Sequence, residues 1–197
     1  MVMDQTVLFI DGENFLHKIE DVLKKYPKGS KIDIASLDFN KIFKKPLQEY
    51  KITRKIFYVA KLHFHSETKE KSDKLLKAQR KLKNTLLNQK FEFLIAGNVR
   101  AQKITIDGKT KIIFREKGVD VKIAVDLVSM AADKLLKTAI LCSSDSDLQP
   151  AVQEARRRGV EVVYLGFEFQ PNKGLTYTTN HMVLFRNSEI LKACGVR

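Results

Sequence analysis

Hydrophobic and polar positions alternate along this chain in blocks that predict a regular succession of strands and helices. Val7-Leu8-Phe9-Ile10 is a continuous apolar run that stops at Asp11-Gly12, the pattern of a buried parallel strand entering a loop. Glu13 to Lys25 follows with helical spacing and closes at Tyr26-Pro27-Lys28-Gly29. A second helix is expected over Ala35–Gln48, with Pro46 near its end, and a strand over Arg54–Ala60. The window Lys69–Lys90 carries Leu75, Gln79, Leu82 and Leu86 at helical spacing, with Lys74, Lys77 and Lys81 on another side. A strand is expected over Phe91–Ala96. Lys103–Ile106 and Lys111–Phe114 flank Asp107-Gly108-Lys109 and predict a hairpin with an Asp-Gly turn. Val121–Leu136 is apolar on most sides, which predicts a largely buried helix. Thr138–Cys142 is a strand and Leu148–Arg158 a helix stopped by Gly159. Val160–Gly166 is a strand, and Leu175–Phe185 is expected to be the final helix.

This βα alternation predicts an α/β fold: three α/β/α layers around a mostly parallel central sheet. In such sheets binding sites gather at the carboxyl ends of the strands. No linker or internal repeat divides the 197 residues, so one domain is expected, with a basic helical segment at about 67–90 and a hairpin at about 103–115.

Charge changes the picture. The chain has 36 Lys+Arg against 23 Asp+Glu, a net charge of +13, which favours a polyanionic partner such as nucleic acid. From Lys61 to Lys117 the sequence has 15 basic and 6 acidic residues, so most of the surplus lies in the middle third. The competing reading is a solvated lysine-rich surface. No apolar run reaches the length of a membrane span, and the first residues lack a basic segment followed by a cleavage site. Cys142 and Cys194 have no metal-ligand spacing and form no disulfide framework. A cytoplasmic protein with reduced thiols is therefore expected, with no membrane partner. The oligomeric state stays open, a dimer among the options.

Four carboxylates fall at the expected strand ends and helix starts. Asp11 ends the first strand, Asp120 enters the buried helix, and Asp145 and Asp147 follow the Thr138–Cys142 strand. Clustered acids repel one another unless a cation neutralises them, and their oxygen ligands suit Mg²⁺ or Mn²⁺. A cation pair could activate water and stabilise a leaving oxygen. Each acid also has a structural reading: Asp147 and Asp120 as helix caps, Asp11 as a turn residue. Asp126 belongs either to a polar stripe with Ser129 and Asp133 or to a supporting position behind Asp120. There is no G-x-G-x-x-G, P-loop or G-x-S-x-G signature. His63-x-His65 is the one histidine pair with any metal spacing, and it is taken as a local surface feature. A phosphate-transfer aspartate at the end of the first strand is the runner-up chemistry.

Phe9-Ile-Asp-Gly-Glu-Asn14, Glu116-Lys-Gly-Val-Asp-Val121 with Ala124-Val-Asp126, and Ser143-Ser-Asp-Ser-Asp147 together resemble the NYN domain family, the PIN-like nuclease group that includes the LabA-like proteins. The resemblance runs from about Val7 to Phe185. It implies an acidic divalent-metal pocket and ribonuclease-like action on phosphodiesters. Its acidic set falls on Asp11, Asp120, Asp145 and Asp147, its supporting residues on Asn14 and Ser143. The chain departs from it with Ser144 where Gly is usual, Leu148 where Phe is frequent, and Asn180 where Asp is frequent. The expected function is a metal-dependent endoribonuclease with Mg²⁺ or Mn²⁺, its RNA held by Lys74, Lys77, Lys81 and Lys117. The alternatives are a non-catalytic RNA-binding or regulatory module and a DNA-directed PIN-like nuclease.

Overall fold

The computed structural model describes residues 5–62, 69–106 and 109–196. His63 and His65 lie outside the described residues, as do Asp107 and Gly108 of the expected hairpin turn. The chain order is β1 (Gln5–Asp11), α1 (Gly12–Leu23), α2 (Phe39–Lys44), β2 (Arg54–Lys61), α3 (Lys69–Asn88), β3 (Glu92–Ile106), β4 (Lys109–Lys117), α4 (Val119–Ala132), β5 (Leu136–Cys142), α5 (Gln149–Arg157), β6 (Glu161–Phe167), α6 (Lys173–Thr178), β7 (His181–Phe185) and α7 (Asn187–Ala193).

The strands form a seven-stranded sheet in the order β4-β3-β2-β1-β5-β6-β7. All neighbours are parallel except the β3–β4 pair. The chain steps outward from β1 to β4, then restarts beside β1 with β5 and steps outward the other way. The order therefore reverses between β1 and β5, and a crevice opens beyond their carboxyl ends.

Alternation along β1 serves two cores. Leu8 and Ile10 pack with Phe15 and Ile19 of α1, Phe39 and Phe43 of α2, Leu82 and Leu86 of α3, and Ile190 of α7. Val7 and Phe9 pack with Ile123 and Leu127 of α4, Val152 of α5 and Leu175 of α6. Because both faces are covered, the central strands read as continuous apolar runs rather than alternating ones. Phe15 sits among Phe39, Phe43, Phe57, Phe167 and Phe185, with ring centroids 5.1–6.3 Å away, and pins α1 to the sheet.

Four expectations need correction. The helix expected over Ala35–Gln48 is short, because Asp33 caps a 3₁₀ turn at Ile34–Ser36 and Asp38 caps α2 separately. The expected final helix is instead α6 followed by strand β7. Asn180 switches the chain by bonding to Val162 through both its backbone N–H and its side-chain oxygen, which starts the β6–β7 ladder. The strand expected at Phe91–Ala96 and the first hairpin arm are one strand, β3. Helix α4 ends at Ala132, and Leu136 opens β5. It also buries only one side: Val121 is 60% exposed and Val125 52%.

Candidate active site

Asp11 is the last residue of β1 and the N-cap of α1. Its Oδ1 accepts the Asn14 N–H at 3.2 Å, and its Oδ2 accepts the Ser143 hydroxyl at 3.1 Å. The residue is only 8% exposed. Burial pushes the carboxyl up to about 6 against these two hydrogen bonds, and the charges of Glu13 and Asp145 push the same way. Gly12 cannot carry a side chain, since a Cβ there would lie 2.5 Å from the Tyr58 carbonyl oxygen.

The segment after β5 lies across the crevice. Ser143 Oγ bridges the two walls: it donates to Asp11 and accepts the Asp145 N–H at 3.1 Å. Asp145 caps the 3₁₀ turn Ser146–Leu148 by accepting the Asp147 N–H at 2.9 Å. Leu148, fully buried, anchors that turn in the core. The cap of α5 is Leu148, so Asp147 does not serve as its N-cap.

The third wall comes from the other half of the sheet. Gly97 of β3 and Gly118 at the end of β4 both have positive φ, +77° and +91°. A Cβ on Gly97 would lie 2.1 Å from the Lys117 carbonyl oxygen, so glycine is what allows the two strands to close this tightly. Gly118 is also the N-cap of α4, which leaves Asp120 in the first turn with no capping duty.

These walls enclose an open cleft of about 750 Å³ whose lining includes Asp11, Asn14, Lys117, Asp120, Ser144 and Asp145. Asp120, Asp145 and Asp147 offer carboxylate oxygens all within 4.8 Å of one another. Asp11 stands apart from that group, on the buried floor, joined to it through Ser143. Among the described residues the carboxylates of Asp120 and Asp147 take no hydrogen bond or ion pair, so their charges have no internal compensation. Three oxygen donors of this kind at this spacing fit a hard divalent cation.

The other expected residues are spread more widely. Asp126 accepts from Tyr58 Oη at 3.0 Å and from Lys122 Nζ, and it does not line the cleft. Burial and the neighbouring Asp126 together raise the Tyr58 hydroxyl well above its ordinary range. Lys117 is exposed at the rim of the cleft. On α3, Lys74 and Lys77 are exposed, while the Lys81 ammonium is paired with Asp33. Gln79 anchors α3 by donating to the Ala60 carbonyl at 2.8 Å.

Sequence reasoning missed Glu13, His17 and Lys18, which also line the cleft. All three lie on the first turns of α1, and His17 Nε2 lies 3.5 Å from Glu13 as an i, i+4 neighbour. The available signal was the period of α1: residues 13, 14, 17 and 18 share a face opposite the buried Phe15, Ile19 and Val22. The Ser144 hydroxyl, noted only as a departure from glycine, donates to Asn14 Oδ1 at 2.6 Å.

A mostly parallel α/β/α sandwich with an acidic cleft at its switch point is the architecture of PIN-like nucleases. The chain belongs to the NYN domain family, whose model matches residues 5–184. Members are generally nucleases and typically use divalent metals. No curated protein matches the chain significantly. One similar solved structure is a Vibrio parahaemolyticus protein described as of unknown function, 16% identical, covering 93% of each chain with a TM-score of 0.60. At that identity the likeness concerns the fold. No helix among the described residues is long and apolar enough to cross a membrane.

Proposed function

We propose that this protein is a divalent-metal-dependent nuclease that hydrolyses phosphodiester bonds, acting as an endoribonuclease. The observation that carries the reading is the acid group at the cleft. Asp120 and Asp145, which line it, and the exposed Asp147 next to them offer oxygens within 4.8 Å of one another, and Asp11 is buried in the same cleft. Asp120 and Asp147 have no structural partner among the described residues. Acids without structural work, held close together against their own repulsion, are best accounted for by a bound cation.

In this reading Asp120 and Asp145, with Asp147, hold Mg²⁺ or Mn²⁺. When bound, the cation would polarise a phosphoryl oxygen and acidify water. Lys117 at the rim offsets phosphate charge. Asn14, with its amide oxygen engaged by Ser144, has its amide nitrogen left to donate to a phosphate oxygen. Ser143 keeps Asp11 and the Asp145 backbone in register across the cleft.

The test is incubation of the purified protein with end-labelled RNA and DNA in Mg²⁺, in Mn²⁺ or in excess EDTA. The reading expects internal cleavage of RNA that is abolished by EDTA. Cleavage that persists in EDTA contradicts the metal assignment, and cleavage confined to DNA contradicts the substrate.

A further inference from the structure

Asp145 and Asp147 lie on the short segment between β5 and α5, so two of the three clustered acids depend on a connection for their position. Carboxylates with oxygens within 4.8 Å of one another repel, and a connecting segment can relieve the repulsion by opening. The buried Leu148 anchors its far end, and Ser143 ties its near end to Asp11. Between them, two carbonyl groups are held by side-chain amides.

These two carbonyls flank Asp145. Asn172 Nδ2 donates to the Ser144 carbonyl at 2.8 Å, and Gln149 Nε2 donates to the Ser146 carbonyl at 3.0 Å. Neither amide is free to turn. Asn172 is the N-cap of α6, and its Oδ1 accepts the Leu175 N–H at 2.8 Å, which leaves only Nδ2 for Ser144. Its backbone N–H donates to the hydroxyl of the buried Tyr164 at 2.8 Å, so the same residue is fastened to β6. The Gln149 amide lies against Gly174 of α6, where a Cβ would stand 2.7 Å from its Nε2 and 2.8 Å from its Cδ. Glycine is unfavourable inside a helix, and what it provides here is room for that amide.

Capping does not account for the Asn172 nitrogen. Ser, Thr or Asp would cap α6 through an oxygen alone. Asn adds an amide nitrogen, and that nitrogen is the part that reaches the acid-bearing segment.

We propose that Asn172 and Gln149 form an amide clamp that positions Asp145 and Asp147 for a divalent cation, with Gly174 keeping the Gln149 arm seated. Both are positioning residues, since they touch backbone carbonyls and not the carboxylates. The part of the cation rests on the nuclease reading above. Holding the backbone on both sides of Asp145 keeps the acids together before a cation arrives, so that binding does not have to order the segment.

The experiment titrates the full chain with Mn²⁺ alone, without RNA, by calorimetry. Amide hydrogen exchange across residues 143–148 and the melting temperature are measured in EDTA. Asn172→Ser keeps a cap and loses the amide nitrogen. Gln149→Met keeps the length and loses the donor. Gly174→Ala favours the helix and displaces the Gln149 amide. Each should weaken Mn²⁺ binding about tenfold or more, the scale for groups that support metal ligands. Each should also speed exchange of the Asp145 and Asp147 amides about tenfold, the scale of one hydrogen bond. Gly174→Ala should do so with a melting temperature unchanged or raised, a combination that a purely structural role does not produce. Added to Gln149→Met, it should weaken binding no further, because the glycine acts through the glutamine. Asp38→Ser, a cap exchange on α2, is the control and should match wild type in affinity and exchange. Wild-type Mn²⁺ affinity in folded Asn172→Ser and Gly174→Ala overturns the proposal, even with faster exchange. So does an equal loss in the Asp38 control. A wild type that takes up no Mn²⁺ overturns the nuclease reading and the clamp's cation with it. A wild type that binds Mn²⁺ and cleaves, with clamp variants that match it, overturns the clamp alone.

Discussion

Ser144 Oγ donates to Asn14 Oδ1 at 2.6 Å, tying the loop after β5 to the first turn of α1 across the mouth of the cleft. The Ser144 carbonyl is held from behind by the Asn172 amide at 2.8 Å. A glycine at this position would keep the backbone and lose the hydroxyl, leaving the Asn14 amide free to rotate. Ser144→Gly should therefore lower the cleavage rate up to about tenfold, the scale of one hydrogen bond. Ser144→Thr should restore most of it, and RNA affinity in EDTA should barely move. A Ser144→Gly protein with wild-type turnover would show that the bond does not orient Asn14 for the reaction.

The raised Asp11 carboxyl makes stability without metal depend on pH. Its ordinary value is 3.8 and the folded value about 6, so the folded state holds the proton more tightly than the unfolded one. The contribution of Asp11 to metal-free stability is fully present below about pH 4 and is lost as pH rises through 6, about 3 kcal/mol for a shift of about two units. Acids held low by cationic partners, such as Asp33 and Glu92, contribute in the opposite sense. Urea titrations in EDTA from pH 4 to pH 7.5 measure this directly. Asp11→Asn should abolish most of the fall and be the more stable protein at pH 7.5. A difference in stability between wild type and Asp11→Asn that stays constant from pH 4 to pH 7.5 would refute the burial argument.

Gly97 sets the root of the β3–β4 ribbon. Gly97→Ala forces a Cβ to within 2.1 Å of the Lys117 carbonyl at a positive φ. The expected cost is about 2 kcal/mol or more, from backbone strain and displacement of the strand pair. The displacement should reach Lys117 and Asp120, so cleavage should fall further than the loss of folded protein explains. Gly159→Ala is the comparison: its φ is +86° with open space around it, so it should cost stability alone.

The sheet was legible in the sequence because its central strands are buried on both faces. The strands expected at Val7–Ile10, Arg54–Ala60, Thr138–Cys142 and Val160–Gly166 hold the continuous apolar runs Val7–Ile10, Ile56–Ala60, Ala139–Cys142 and Val162–Leu165, and each run lies within a strand of the structure. What failed was local. His181–Phe185 is a short apolar stretch whose helical or strand character depends on the open edge of β6, a tertiary fact that no window of residues contains. The breadth of apolar positions on α4 predicted burial, yet Val121, which lines the cleft, and Val125 are both exposed. The acids were visible as strand-end residues. Their division was not: Asp11 is a buried floor residue and Asp120, Asp145 and Asp147 form a separate group, a distinction made by Ser143 and the glycine pair at the ribbon root. The face of α1 that brings Glu13, His17 and Lys18 to the cleft was implicit in helical period, but became informative only once β1 and β5 were neighbours.

The three lysines of α3 should not contribute equally to RNA binding. Lys81 is paired with Asp33, whose carboxyl is held below its ordinary range chiefly by that partner. Lys81→Gln should leave the slope of log K against log[salt] close to wild type. Lys74→Gln and Lys77→Gln, which remove exposed charges, should each flatten it by up to about 0.7 where the residue meets a phosphate. Equal effects from all three would show that the Lys81–Asp33 pair opens when RNA binds.

The most direct measurement is RNA cleavage by Asp120→Asn in Mg²⁺ and in Mn²⁺, alongside wild type and alongside its melting temperature in EDTA. Gly118, not Asp120, occupies the N-cap of α4, and the Asp120 carboxylate has no hydrogen-bond partner among the described residues, so the fold does not need it. Asn keeps the shape and removes the charge that would hold the cation. The account predicts cleavage reduced by orders of magnitude, a metal-free melting temperature unchanged or raised by relief of repulsion with Asp145 and Asp147, and RNA binding in EDTA that is preserved or tighter. A folded Asp120→Asn protein that cleaves RNA at the wild-type rate would contradict it.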